Sequence, residues 1–276
     1  MPTDRMHGRK PARWLSRSVV RYFSLMGFLG LLWALGGCRP TVDTQPPDIP
    51  GTLRFDVELL WDGAPYALNQ PAVDHLGHAL TLSNLQLYIS RMEVQDLAGV
   101  WHRNERSEEV HLLDFKTDHT RLLEPFPAGM YQAVRFGVGI PEDLNRGTDP
   151  ATFPNDHPMG FLGSAGMFWT WSTGYIFVKY EGRAAPLGTE VMSSPIAYHC
   201  GTDASYREVV VPFENPVWID PQRLTVLPLQ FDAAKVLVGP NDSVDVIANP
   251  LTHNGPNDPI AARLMDLLTQ AWYIPQ

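Results

Sequence analysis

The chain has 276 residues, 44% of them apolar, and carries 21 Lys and Arg against 30 Asp and Glu, a formal net charge of −9. That length supports one large hydrophobic core. The acidic balance argues against nucleic acid as a partner, since a polyanion demands a basic surface.

The first residues read as a leader rather than as part of a fold. Arg5, Arg9, Lys10, Arg13, Arg17 and Arg21 precede an apolar run from Phe23 to Leu35 that is too short for a comfortable membrane span. The run ends in Leu35-Gly36-Gly37-Cys38, which is similar to a lipoprotein signal-peptide box, where small residues admit the peptidase and the cysteine receives lipid. Residues 1–37 are therefore expected to be a signal peptide, with Cys38 lipidated and first in the mature chain. Without those residues the count falls to 15 basic against 29 acidic, a net of −14. Residues 38–51, with Pro40, Pro46, Pro47 and Pro50, read as an extended tether. Arg39 is not the aspartate that commonly holds bacterial lipoproteins at the inner membrane, which favours the outer membrane. Cys200 then remains alone, so no intrachain disulfide is possible, and a buried inert thiol is expected there.

Beyond the tether, Thr52 to Leu60 alternates, with Leu53, Phe55, Val57 and Leu59 on one face, and ends at an Asp62-Gly63 turn. Strands are predicted from His78 through about Ile89 and on to Val94, at Val110 to Leu113, and at Met130 to Ile140. Between Pro141 and Gly166 lies a long loop, and loops of that length are more often functional than idle. The stretch from Gly166 to Gly182, GMFWTWSTGYIFVKYEG, is the densest in aromatics, and Tyr175 to Glu181 is strand-like within it. If the extended backbone reaches back through Met167, Trp169 and Trp171 share a face. Two neighbouring indoles make either a packing wall or a redox feature. Further strands are expected at Ser194 to His199, Arg207 to Phe213 and Leu224 to Phe231, while Ala233 to Val238 fits a helical turn or a strand. Asp258-Pro259 reads as an N-cap and first helical residue, followed by Ile260, Leu264, Leu267, Leu268 and Ala271 at helical spacing. The expected fold is all-β, a two-layer antiparallel sandwich with one C-terminal α-helix.

The sequence contains no Gly-x-Ser-x-Gly elbow, no His-Glu-x-x-His, no phosphate loop and no dinucleotide fingerprint, so the expectation is that the protein is not an enzyme. It does have soft and imidazole donors near the aromatic stretch: His157, Met159, Met167, Met192, His199 and Cys200. Thioether, thiolate and imidazole together suit Cu(I) better than magnesium or calcium. Each also has a plainer reading, the methionines as gap-fillers and the histidines as hydrogen-bonded or solvated side chains. His75 and His78 have the wrong spacing for a strand site, His102, His111, His119 and His253 have no evident partner, and Asp143, Asp149 and Asp156 do not match the regular calcium loop.

Several segments in order carry a family resemblance: Leu87-Tyr88-Ile89-Ser90, Leu112-Leu113-Asp114-Phe115, Phe136 to Pro141 with Leu144-Asn145, Gly166-Met167-Phe168-Trp169-Thr170-Trp171 with Gly174-Tyr175 and Glu181-Gly182, and His199. Together they resemble the MbnP-like copper-binding proteins, periplasmic partners of a di-haem MauG-like cytochrome c peroxidase. The resemblance runs over roughly Thr52 to Phe231, its most specific part being the Met-x-Trp-x-Trp element with the following Gly-Tyr. It implies a β domain over residues 52–276, a copper site holding Cu(I), and oxidation of a tryptophan, Trp169 or Trp171, to kynurenine by the haem partner. It implies His199 as a metal ligand, and the donor pattern near the aromatic stretch adds His157 and Met167 as further candidates. The chain departs from the family in having Cys200-Gly201-Thr202 where Leu-Gly-Ser is common, and in lacking a four-cysteine pattern of some relatives. The expected function is thus a lipid-anchored periplasmic copper-binding protein that contacts the membrane only through its lipid. A competing reading is a surface lipoprotein that binds carbohydrate or protein, with Trp61, Trp101, Trp169 and Trp171 as open stacking platforms.

Overall fold

A computed structural model describes residues 49–103, 105, 109–117, 119–170, 173–253 and 258–275. The expected signal peptide, Cys38, most of the expected tether and Trp171 lie outside the described residues. The strands are β1 (Pro50–Trp61), β2 (Ala64–Pro65), β3 (Ala72–Val73), β4 (Ala79–Asp96), β5 (Trp101–His102), β6 (Val110–Asp114), β7 (Arg121–Pro127) and β8 (Gly129–Val138). After a short helix α1 (Glu142–Asn145) come β9 (Phe168–Thr170), β10 (Gly174–Ala185), β11 (Ser194–Gly201), β12 (Arg207–Ile219), β13 (Leu224–Asp232) and β14 (Leu251–Thr252). Helix α2 (Pro259–Leu268) and β15 (Trp272–Tyr273) complete the order.

These strands form an all-β sandwich with a C-terminal helix. One sheet runs β15-β13-β1-β2, with β7 also on β1, and the other runs β12-β8-β4-β10-β11-β14, with β3, β5 and β6 on β4 and β9 on β10. The sheets are mixed rather than purely antiparallel, because β1 pairs with β13 and β11 with β14 in parallel. Alternation fixes which side faces in: Leu53, Phe55, Val57 and Leu59 are buried on β1 while Arg54 and Asp56 point out. Rings join the layers, Phe136 of β8 lying edge-on to Trp272 of β15 at 5.2 Å and Phe115 stacking on Phe231 at 6.3 Å.

Strand β4 organises the larger sheet. Its first half pairs with β10, and from Ile89 on it pairs with β8 across a bulge between Ser90 and Glu93, where Arg91 takes φ +48. Strand β7 went unread in the sequence because Pro125 and Pro127 argue against a strand, yet it lies at an edge of its sheet, where the missing amides cost nothing. Strand β12 runs on to Ile219 past a bulge that absorbs Pro212 and Pro216. Residues Ala233–Val236 form a 3-10 turn, capped by the Asp232 carboxylate, which also accepts the amides of Asp62 and Gly63. Helix α2 starts as the sequence predicts, with Asp258 accepting from the amides of Ile260 and Ala261. Among the described residues no helix is long and apolar enough to cross a membrane.

The loop from Pro141 to Gly166 is pinned down rather than free. Asn145 is buried, accepts the Tyr175 amide at 3.0 Å and donates to Asp203 at 2.8 Å. Tyr88 and Tyr175, edge to face at 5.8 Å, donate their hydroxyls to the loop carbonyls of Pro158 and Met159. Asp143 and Arg146 tie the loop's start to Arg91 and Asp203.

Candidate functional site

The outer face of the larger sheet carries one polar row. In register across four strands lie His199 of β11, Lys179 of β10, Gln86 of β4 and Asp114 of β6. His199 Nε2 is 2.6 Å from Glu181 Oε1, and the other oxygen of Glu181 accepts from Asn84 Nδ2 at 2.8 Å. A carboxylate only accepts, so Nε2 of His199 carries a proton, and in the neutral ring Nδ1 keeps its lone pair. Burial pushes the Glu181 carboxyl up, but the hydrogen bonds from Asn84 and His199 outweigh it and hold it below its usual range. Gln86 extends the network to Asp114 at 3.1 Å, and Lys179 Nζ reaches the Gly166 carbonyl at 2.7 Å.

Two more rings meet this row. The imidazole of His253, just past β14, lies edge-on to that of His199 with centroids 5.1 Å apart. Trp169 comes from β9, the short strand that folds back on β10. Its six-membered ring covers Gly201, where an added Cβ would fall 2.8 Å from Cζ3 of the indole and 2.6 Å from the Tyr175 carbonyl oxygen. Gly201 and His199 are two apart on β11 and share its outer face, so the indole and the imidazole are neighbours on one surface. Cys200, between them, points the other way into the core, and burial pushes its thiol up to about 12.

The other sequence candidates are placed differently. Met167 is fully buried in the hydrophobic core, as is Met159 at 1% exposure. His157 stays within its own loop, stacked on Phe153 at 4.5 Å with Nδ1 accepting the Met159 amide. Trp171, the second indole candidate, lies outside the described residues. Two histidines without an evident partner in sequence have carboxylates in space, His102 with Asp96 and His111 with Glu124, and His78 pairs with Asp74 rather than with His75. Sequence reading missed Glu181, Asn84 and His253 as members of the site. Glu181 was legible as an outward position next to Lys179 on an alternating strand, but nothing local marked His253. Among the described residues no three His, Cys, Asp or Glu side chains converge as a metal-ligand cluster.

The open stacking platforms of the carbohydrate reading are not all there. Trp61 is buried, its indole N–H donating to the Val73 carbonyl, and Trp101 is covered by the Arg135 guanidinium at 4.6 Å.

Fold and site together define a class: a β-sandwich whose outer face sets a tryptophan beside a carboxylate-held imidazole, under a long anchored loop. The chain matches the MbnP family over residues 50–254, and it belongs to that family. A solved structure, MbnP from Methylosinus trichosporium, is similar at 19% sequence identity and a TM-score of 0.54, with 78% of this chain and 87% of that chain covered. At that identity the likeness concerns the fold. No curated protein sequence matches significantly.

Proposed function

We propose that the protein is a lipid-anchored periplasmic copper-binding protein, not itself an enzyme, and the substrate of a di-haem MauG-like peroxidase that converts a tryptophan beside the metal to kynurenine. The observation that carries this reading is the indole of Trp169 lying over Gly201, on the same strand face as His199. This reading takes Trp169 as the modified residue.

The donors on this face fit copper through nitrogen rather than sulfur. His199, with the Nδ1 lone pair of its neutral ring and Nε2 held by Glu181, and the adjacent His253 would hold the ion, since imidazole suits copper. The buried thioether of Met167 and the core-facing thiol of Cys200 lend no support to a thiol or thioether site. Bound copper would supply a redox-active centre next to the ring. Glu181 fixes the orientation of His199, and Asn84 fixes Glu181 in turn. Opening the indole between C2 and C3 leaves an aryl amine and a ketone, with C2 lost as formate and the oxidising equivalents drawn from peroxide at the partner's haem. An apolar ring thus becomes a polar group able to ligate beside His199.

The test is coexpression with and without the haem partner, followed by peptide mass spectrometry and metal analysis. The expected result is a kynurenine mass increment confined to Trp169 and copper retained through dialysis. An unmodified Trp169 peptide together with loss of copper on dialysis would sink the reading.

A further inference from the structure

We propose that one end of the sandwich is a seat for the lipid bilayer surface, which holds the candidate site upright and away from the membrane. The inference rests on the lipid-anchoring reading of Cys38 and adds to it a second, non-covalent contact. The chain enters the described fold at Ile49, next to Pro50 of β1, which pairs with Pro127 at the end of β7. At that same end β8 begins, β12 finishes and β13 begins, because Gly129 pairs with Ile219 and Thr52 with Leu224. The turn between β4 and β5 lies there too, since Asp96 pairs with Tyr131.

This end carries a row of exposed apolar side chains. Ile49 is 57% exposed, Leu97 56%, Val100 53%, Met130 38%, Trp218 51% and Leu224 48%. They follow one another around the end: Leu97 beyond the last β4 residue, Met130 in register with Trp218, then Leu224 across the β12–β13 turn and Ile49 at the chain's entry. Scattered apolar residues need no explanation, but a belt does. An exposed indole ringed by aliphatic side chains suits the headgroup zone of a bilayer.

Charge supports the same occupant. A body with a net of −14 without its leader is repelled by anionic headgroups from most directions. On and beside this end the outward charges are Arg54 and Arg223 against Asp96 and Asp220, so here basic and acidic groups balance. Reach is sufficient as well: the stretch from Cys38 to Ile49 spans at most about 40 Å even when fully extended. A lipid at Cys38 therefore keeps the belt at high effective concentration near the surface, and a weak patch is enough. Gln86, in the row of His199, lies roughly 30 Å along β4 from Asp96. The seat thus presents the site to the aqueous side, where a diffusing haem protein can reach it.

The test uses the full lipidated chain in vesicles of phosphatidylethanolamine and phosphatidylglycerol, with flotation and hydroxyl-radical footprinting read on the same sample. The expected result is flotation with the vesicles and, each residue measured against its own rate without vesicles, a several-fold slower oxidation of Leu97, Met130, Trp218 and Leu224 but not of Phe161 and Leu162, which are exposed on the long loop. The double change Leu97→Ser and Trp218→Ser is expected to restore Met130 reactivity several-fold without loss of flotation. Flotation with equal relative rates at belt and loop overturns the seat and leaves the lipid anchor standing. A chain that does not float removes the anchor and the seat with it. Slow oxidation of Phe161 and Leu162 instead, or belt protection that persists without vesicles in a species the size of two chains, also overturns it.

Discussion

A Cβ at position 201 would fall 2.6 Å from a backbone oxygen and 2.8 Å from the Trp169 ring, so even alanine must push the indole off the strand. The backbone cannot yield without breaking the β10–β11 ladder, and overpacking of this kind costs about 1–3 kcal/mol. Gly201→Ala is accordingly expected to lower the unfolding free energy read from a urea titration by that amount and to prevent kynurenine formation at Trp169 on coexpression. Glu181 acts differently, since it holds an imidazole rather than a ring. Glu181→Gln keeps the shape but can no longer enforce the proton on His199 Nε2, and loss of such a partner weakens metal binding by about 10–100-fold. Chelator competition on the purified variant, with an unchanged melting curve as control, checks this. The chain of side chains from His199 to Glu181 to Asn84 joins three strands. For that reason Glu181 was invisible as a partner in the linear sequence, although each strand was legible alone.

Among the elements, the long loop and the β9–β10 hairpin are joined through one side chain. Asn145 supplies both the acceptor for the Tyr175 amide and the donor to Asp203, and its carbonyl oxygen sits 2.2 Å from where a Cβ on Gly174 would be, with Gly174 at φ +73. Asn145→Ala leaves a buried amide unsatisfied, at a cost of about 1–3 kcal/mol. The outcome expected is faster hydrogen exchange at Tyr175 and faster proteolysis within the loop, with α2 unaffected; equal loss everywhere would contradict a local anchor. Elements with strong local signals were read correctly, β1 from its alternation and α2 from Asp258-Pro259. Those whose pairing overrides composition were not, as with the proline-bearing β7, which is a strand only because β1 supplies a partner edge.

Across the molecule, the core traps acids that cannot ionise in place. Burial raises Tyr88 and Tyr180 well above the ordinary tyrosine value, raises Tyr175 to about 12, and raises the Cys200 thiol to about 12. For a group whose folded value is raised, stability is complete below the unfolded value and is lost as pH climbs toward the folded one. The window here opens near the ordinary thiol value of 9.0 and the phenol value of 10.0. Each fully buried group then costs about 1.4 kcal/mol per pH unit. The protein is expected to keep its melting temperature from neutral pH to about 9 and to unfold cooperatively above that window. Tyrosinate absorbance and thiol reactivity should rise with the loss of circular dichroism rather than before it. The sheets are also bolted across their interface by His111 of β6 and the fully buried Glu124 of β7, a pairing no local pattern announces.

What the sequence by itself determined are the features written in short-range chemistry: the alternation of the main strands, the capped amphipathic helix and the aromatic stretch around Trp169. Each is specified by residues a few positions apart, within reach of one turn or one strand. Only the tertiary structure decided which rings and charges meet, placing His253 against His199, Trp169 over Gly201, and Met167 in the core. Those contacts join segments tens of residues apart, and the register of β4, β10 and β11 sets them, a quantity fixed by the packing of the whole sandwich.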